Sequence, residues 1–140
     1  MKKLLLILSI FFFTGVYTTF AQPKPPHRHN WERIDAIRLE FILKKLSLPQ
    51  TYQDKFVPVY KTYQSEVRKL YAERRKSREQ SKANPEAQVE KDFYFESRIL
   101  ETKKIYKTKF QDILTAEQLK TLYTAERDFK EQLLNQLKGN

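Results

Sequence analysis

Leu114-Thr115-Ala116-Glu117-Gln118-Leu119 is the stretch on which the fold assignment turns. A threonine followed three residues later by a glutamine forms a capping box. The Thr115 hydroxyl can accept the Gln118 backbone N–H, and the Gln118 side chain can reach back to the N–H of Thr115. Leu114 before the cap and Leu119 at the fourth helical position can close a hydrophobic staple. A helix therefore begins here, and Leu119, Leu122, Phe129, Leu133 and Leu137 carry its apolar stripe to a stop at Gly139. Sixty-eight residues upstream, Leu46-Ser47-Leu48-Pro49-Gln50 has the same form, with Ser47 as the cap, Gln50 reaching back and Pro49 in the first turn. Each motif is fully accounted for by helix capping, so neither is assigned any chemistry.

Between and before these signals lie three more helical patterns. The first runs from about Trp31 to Lys45, with Asn30 as a candidate cap and Trp31, Ile34, Ile37, Phe41 and Leu46 as its stripe. The second, after Ser47, carries Tyr52, Phe56, Tyr60 (with Val59), Tyr63, Val67 and Leu70 or Tyr71, and Pro58 predicts a bend but no break, because the stripe continues in phase. Residues 77–84 lack a stripe and are predicted to fray into a loop. Asn84-Pro85-Glu86 then combines a cap, a proline at the first helical position and an acid in the first turn. The third helix that follows has Val89, Phe93, Leu100 (with Ile99), Tyr106, Phe110 and Ile113 in its stripe. No segment alternates as a strand would. The expectation is an all-α fold of four helices in two helix–cap–helix hairpins over residues 31–138.

Composition excludes several function classes. The 140 residues contain no cysteine, so disulfides, thiolate nucleophiles and cysteine metal ligands are ruled out. Two glycines, Gly15 and Gly139, cannot build a phosphate-cradling loop or a dinucleotide fingerprint. The only histidines are His27 and His29, and two ligands on a tail fall short of a metal site. From residue 31 onward, acid–base chemistry would fall to carboxylates, lysine or tyrosine, and inward Glu-x-x-His motifs are missing. The chain is therefore predicted not to be an enzyme and to need no metal and no cofactor.

The N-terminus points to export. Lys2 and Lys3 precede an apolar run from Leu4 to Phe13, and Thr19 and Ala21 sit at the −3 and −1 positions of a cleavage site. Residues 1–21 thus read as a signal peptide, with a retained anchor as the alternative, although Thr14, Gly15, Thr18 and Thr19 dilute the run before it reaches spanning length. Residues 22–30, with Pro23, Pro25 and Pro26, read as a flexible tail. The expected location is periplasmic.

The charge is uneven. The chain carries a formal +10, of which residues 22–82 contribute +8 and residues 83–140 nothing net. The densest cationic stretch holds Arg68, Lys69, Arg74, Arg75, Lys76 and Arg78. Such a cluster attracts acidic partners over about 8–10 Å. Nucleic acid, the usual partner of so basic a chain, is not expected outside the cytoplasm. Unfolded or acidic protein segments and anionic membrane surfaces are accessible there. Phe93, Tyr94 and Phe95 cannot all face one core, so part of the trio should be exposed, and Tyr94 joins the basic residues as a candidate client-binding residue.

The paired Leu-Ser/Thr-x-x-Gln motifs resemble those of the Spy/CpxP family of periplasmic proteins. Phe56-Val57-Pro58-Val59-Tyr60 and Leu122-Tyr123-Thr124-Ala125-Glu126-Arg127-Asp128-Phe129 resemble its Bacteroidetes branch labelled "sensor of ECF-type sigma factor". The resemblance covers about residues 31–138. It implies a thin, cradle-shaped antiparallel homodimer and an ATP-independent, chaperone-like role in envelope stress. It also implies an alternative, a regulatory module docking on a membrane-bound signalling partner. The absence of histidine beyond residue 29 removes the support for that family's metal-responsive role.

Overall fold

A computed structural model describes residues 27–138, which form four helices: α1 (His27–Leu46), α2 (Gln50–Gln80), α3 (Pro85–Gln111) and α4 (Ala116–Lys138). The all-α expectation holds. The signal peptide, residues 22–26 of the tail and the Gly139 stop lie outside the described residues. No described helix is long and apolar enough to cross a membrane. Helix α1 begins earlier than expected, so Asn30 is not its cap and residues 27–30 are helical rather than tail. Pro26 is the last helix breaker before Trp31, and no proline or glycine between them opposes helix formation.

The two capping motifs behave differently. At the second, the backbone N–H of Gln118 donates to Thr115 Oγ1 at 3.2 Å, and the N–H of Thr115 donates to Gln118 Oε1 at 3.0 Å. At the first there is no box. Ser47 is left-handed (φ 47°), its N–H donates to the Leu43 carbonyl at 3.0 Å, and its Oγ donates to the Lys44 carbonyl. It therefore closes α1 instead of opening α2. The cap of α2 is Pro49, without a side-chain bond, and Gln50 Nε2 donates forward to Asp54 Oδ1 at 2.8 Å. Proline explains the difference. With Ser47 as cap, Leu48 would need helical angles directly before Pro49, a conformation that the proline ring disfavours. Glu117, which occupies the matching position in the second motif, imposes no such restriction. Thr115→Ala is expected to lower stability by about 0.5–2 kcal/mol, and Ser47→Ala by less than half as much. Equal losses in chemical denaturation would show that both hydroxyls cap.

Helix α2 passes through Pro58 unbroken and spans about 46 Å at 1.5 Å per residue. It persists to Gln80, so only residues 81–84 form the turn, and Ser81 Oγ donates back to the Ser77 carbonyl at 2.7 Å. Asn84 caps α3 as expected, accepting the Ala87 N–H at 3.1 Å.

The two helix–cap–helix units exist as chain connections, yet the larger interfaces run between them, α2 against α3 and α1 against α4. The core is aromatic. Phe56, Tyr60, Tyr63, Tyr106 and Phe110 are buried with ring centroids 5.2–6.2 Å apart, joined by Ile42, Leu46, Leu114 and Leu122. Several expected stripe residues face solvent instead: Trp31 and Ile37 of α1, Tyr52 of α2, and Val89, Phe93 and Leu100 of α3. In α3 the buried positions are Phe95, Ile99, Tyr106 and Phe110. The heptad that faces α2 continues at Asp92, so the true stripe ends in a carboxylate where the apolar pattern points elsewhere.

Candidate functional site: a basic helix face and a four-helix cleft

Along α2, Phe56, Tyr60, Tyr63, Val67, Leu70 and Arg74 follow one another at steps of four and three, the spacing of a seam between two helices. Arg74 thus emerges from the core seam, and its side chain is only 17% exposed. It donates from Nε to Asp92 Oδ1 at 2.9 Å and from Nη2 to Glu96 Oε1 at 2.6 Å. Arg78 makes a two-pronged contact with Asp92, donating from Nε to the same Oδ1 at 2.7 Å and from Nη2 to Oδ2 at 2.7 Å. Hydrogen bonds from Arg78 and then Arg74 hold the Asp92 carboxyl down at about 2 and push both guanidinium values up. Arg68 is ion-paired with Asp35 of α1, beside the Gln64 side chain that reaches the Asp35 carbonyl.

The basic stretch is therefore divided. Arg68, Arg74 and Arg78 fasten helices together. Lys69, Arg75 and Lys76 stand in solvent, Lys69 within 4.0 Å of Glu73. Arg68, Lys69 and Arg75 line a groove of about 550 Å³ beside Trp31 and Arg38. Tyr94 is exposed, as expected, and its hydroxyl accepts from Arg98 Nη1 at 3.0 Å. It lies on α3 away from that groove.

A second site was missing from the sequence reading. All four helices converge on a cleft of about 490 Å³. Arg38 comes from α1, Tyr63, Val67 and Tyr71 from α2, Lys103 from α3, and Tyr123, Glu126, Arg127 and Lys130 from α4. Glu126 accepts from the Tyr60 hydroxyl at 3.1 Å on one oxygen and from the Tyr63 hydroxyl at 3.3 Å on the other. Burial pushes its carboxyl above the ordinary value, against the opposing pull of the tyrosine bonds, Arg38 and Lys103. Burial, together with the Glu126 charge, drives the Tyr60, Tyr63 and Tyr123 hydroxyls upward, and Tyr60 and Tyr63 are the two that donate to Glu126. Tyr106, pushed up to about 12 by burial and by Glu66, donates to Glu66 Oε1 at 2.9 Å. The Arg38 guanidinium lies 5.2 Å from the centre of the Phe129 ring. A signal was present in the sequence: Glu126 is in phase with Leu119, Leu122, Phe129 and Leu133, and Arg38 with Ile42.

Among the described residues, no three metal-ligating side chains come together. The arrangement suits recognition, since cations from three helices border a concave surface and Tyr71 and Val67 supply apolar contact. Compared with protein-family models, with curated proteins and with solved structures, the chain matches none.

Proposed function

We propose that this protein is an exported, non-enzymatic binder of unfolded polypeptide, holding acidic and partly apolar client segments without ATP in the periplasm. The observation that carries this reading is the outer face of α3. Val89, Phe93 and Leu100 follow one another at steps of four and seven on one side of the helix, and Phe93 is 68% exposed. Leu100 borders a notch lined by Tyr71, Ile99, Lys103 and the Arg74–Glu96 pair, so Lys103 is the cation beside the apolar groups that no carboxylate of the notch engages. An acidic, apolar-containing segment satisfies both. The apolar stripe supplies short-range contact, and Arg75 and Lys76 raise the encounter rate from a distance.

The test is suppression of client aggregation by the purified chain across a salt series. Phe93→Ser with Leu100→Ser is expected to abolish most of the suppression while leaving the helical signal intact, because both side chains lie outside the core. Arg75→Glu with Lys76→Glu is expected to slow capture and flatten its salt dependence. Reversing Arg74 or Arg78 would instead set like charges against Asp92 and loosen the α2–α3 contact. Sedimentation of the same serine variant separates client binding from self-association: a homodimer formed through this stripe would fall apart. Unchanged suppression by both double variants would sink the proposal.

A further inference from the structure

We infer that the four-helix cleft is a binding site for a phosphate monoester. The inference does not require client holding on α3, although the cleft shares Tyr71 and Lys103 with the notch beside Leu100. Arg38, Lys103, Arg127 and Lys130 line one concavity with a single carboxylate, Glu126, so an empty cleft carries a net charge of three positives. Glu126 offsets part of that charge, acting on Arg38 and Lys103. It is drawn inward by Tyr60 and Tyr63, and Arg127 and Lys130 make no ion pair among the described residues. Both lie exposed on α4, one helical turn apart.

The excess of charge selects the ligand. A monocarboxylate would leave two positive charges uncompensated, whereas a dianionic phosphate monoester cancels most of them. Guanidinium groups arriving from two helices, Arg38 on α1 and Arg127 on α4, provide planar donor forks that match phosphate oxygens. The lysines add point charges. Tyr71 and Tyr123 bring apolar ring surface for the organic part of an ester, and the volume of about 490 Å³ lies in the range of small-molecule sites. A free phosphate ester and a lipid headgroup ending in a phosphate monoester offer the same chemistry.

The experiment is a calorimetric titration of the full chain with phenyl phosphate at constant ionic strength, with benzoate as the carboxylate counterpart. Saturable one-to-one binding of phenyl phosphate is expected, with benzoate about tenfold weaker or more. Arg127→Gln with Lys130→Gln should weaken phenyl phosphate binding by at least about tenfold. Both side chains are exposed, so the fold is expected to persist, and circular dichroism checks this. Glu126→Gln should tighten binding severalfold, because the only competing negative charge is gone, a gain that a purely structural Glu126 would not produce.

Flotation with phosphatidylcholine vesicles, with and without phosphatidic acid, distinguishes the source. Capture only by the acidic vesicles, with no phenyl phosphate binding, assigns the headgroup. Phenyl phosphate binding without vesicle capture assigns the free ester. Binding by neither, equal binding of benzoate, or undiminished binding in the double glutamine variant overturns the site.

Discussion

Phe110→Ala is expected to lower the unfolding free energy by about 3–5 kcal/mol, as for other large aromatic truncations in a packed core. Phe110 is fully buried, with Phe56 at 5.6 Å, Tyr63 at 5.6 Å, Tyr106 at 6.1 Å and Tyr60 at 6.2 Å between ring centres. Removing the ring deletes edge and face contacts with four neighbours at once. Those neighbours cannot collapse into the hole, because Tyr60 and Tyr63 are tied by their hydroxyls to Glu126 and Tyr106 to Glu66. Domains of this kind have roughly 5–15 kcal/mol in total, so the variant should lose a large share of its stability and unfold at markedly lower denaturant. Urea denaturation measures the loss. A cost below about 1 kcal/mol would mean that the aromatic cluster is not the keystone of the α2–α3 interface.

Tyr60→Phe is expected to cost about 1.5–3 kcal/mol at neutral pH, the range for a hydrogen bond to a charged group. The substitution keeps the ring and removes one of the two hydroxyls that hold Glu126. The loss should depend on pH with a definite sign. The folded Glu126 value is raised above its ordinary 4.5, mainly by burial, so its ionised form at neutral pH opposes folding. Lowering the pH through the raised value relieves that opposition. Removing the Tyr60 donor raises the value further, so the gap between wild type and variant should narrow as pH falls from neutral towards 4.5. Asp92 works in the opposite direction and in a lower window: its value is depressed to about 2, and the stability it contributes is lost only as pH drops below its ordinary 3.8. Denaturation curves at pH 7 and pH 5 separate the two groups. A gap that is the same at both would exclude Glu126 as the linked group.

The residues that could be read from sequence and those that could not differ in one physical respect. Helix existence followed from caps and stripes, and Asn84, Thr115, Phe56, Tyr60, Tyr63, Tyr106 and Phe110 took the expected roles. Failures arose where the inward-facing heptad position is polar. Arg74 in α2, Asp92 in α3, Arg38 in α1 and Glu126 in α4 all stand in phase with buried apolar residues, and each finds its complement on another helix or an aromatic ring. A search for apolar periodicity passes over such positions and substitutes the nearest hydrophobic residue, as happened with Ile37 and Phe93. The cleft was hidden for the same reason, since its parts come from four helices and no local spacing joins Arg38 to Lys103 or Lys130. The first capping motif failed through a shorter-range effect, the restriction that Pro49 places on Leu48.

The α2–α3 pair changes character along its length, from the stacked rings around Phe110 to the guanidinium–carboxylate contacts around Asp92. The two ends respond to different solvents. Ring burial is insensitive to screening and strengthened by excluded salts, whereas the partly exposed contacts of Asp92, above all that with Arg78, are weakened by screening. One long hairpin is therefore expected to behave as two units in series, with the turn-side unit around residues 74–96 the one that loosens as electrolyte rises. Amide exchange along α2 should record this as a moving boundary: added sodium chloride would accelerate exchange towards Gln80 and leave the protons around Tyr60 untouched. The outer stripe at Val89 and Phe93 belongs to the loosening unit, which makes the ionic strength of the medium a regulator of how firmly that stripe is presented.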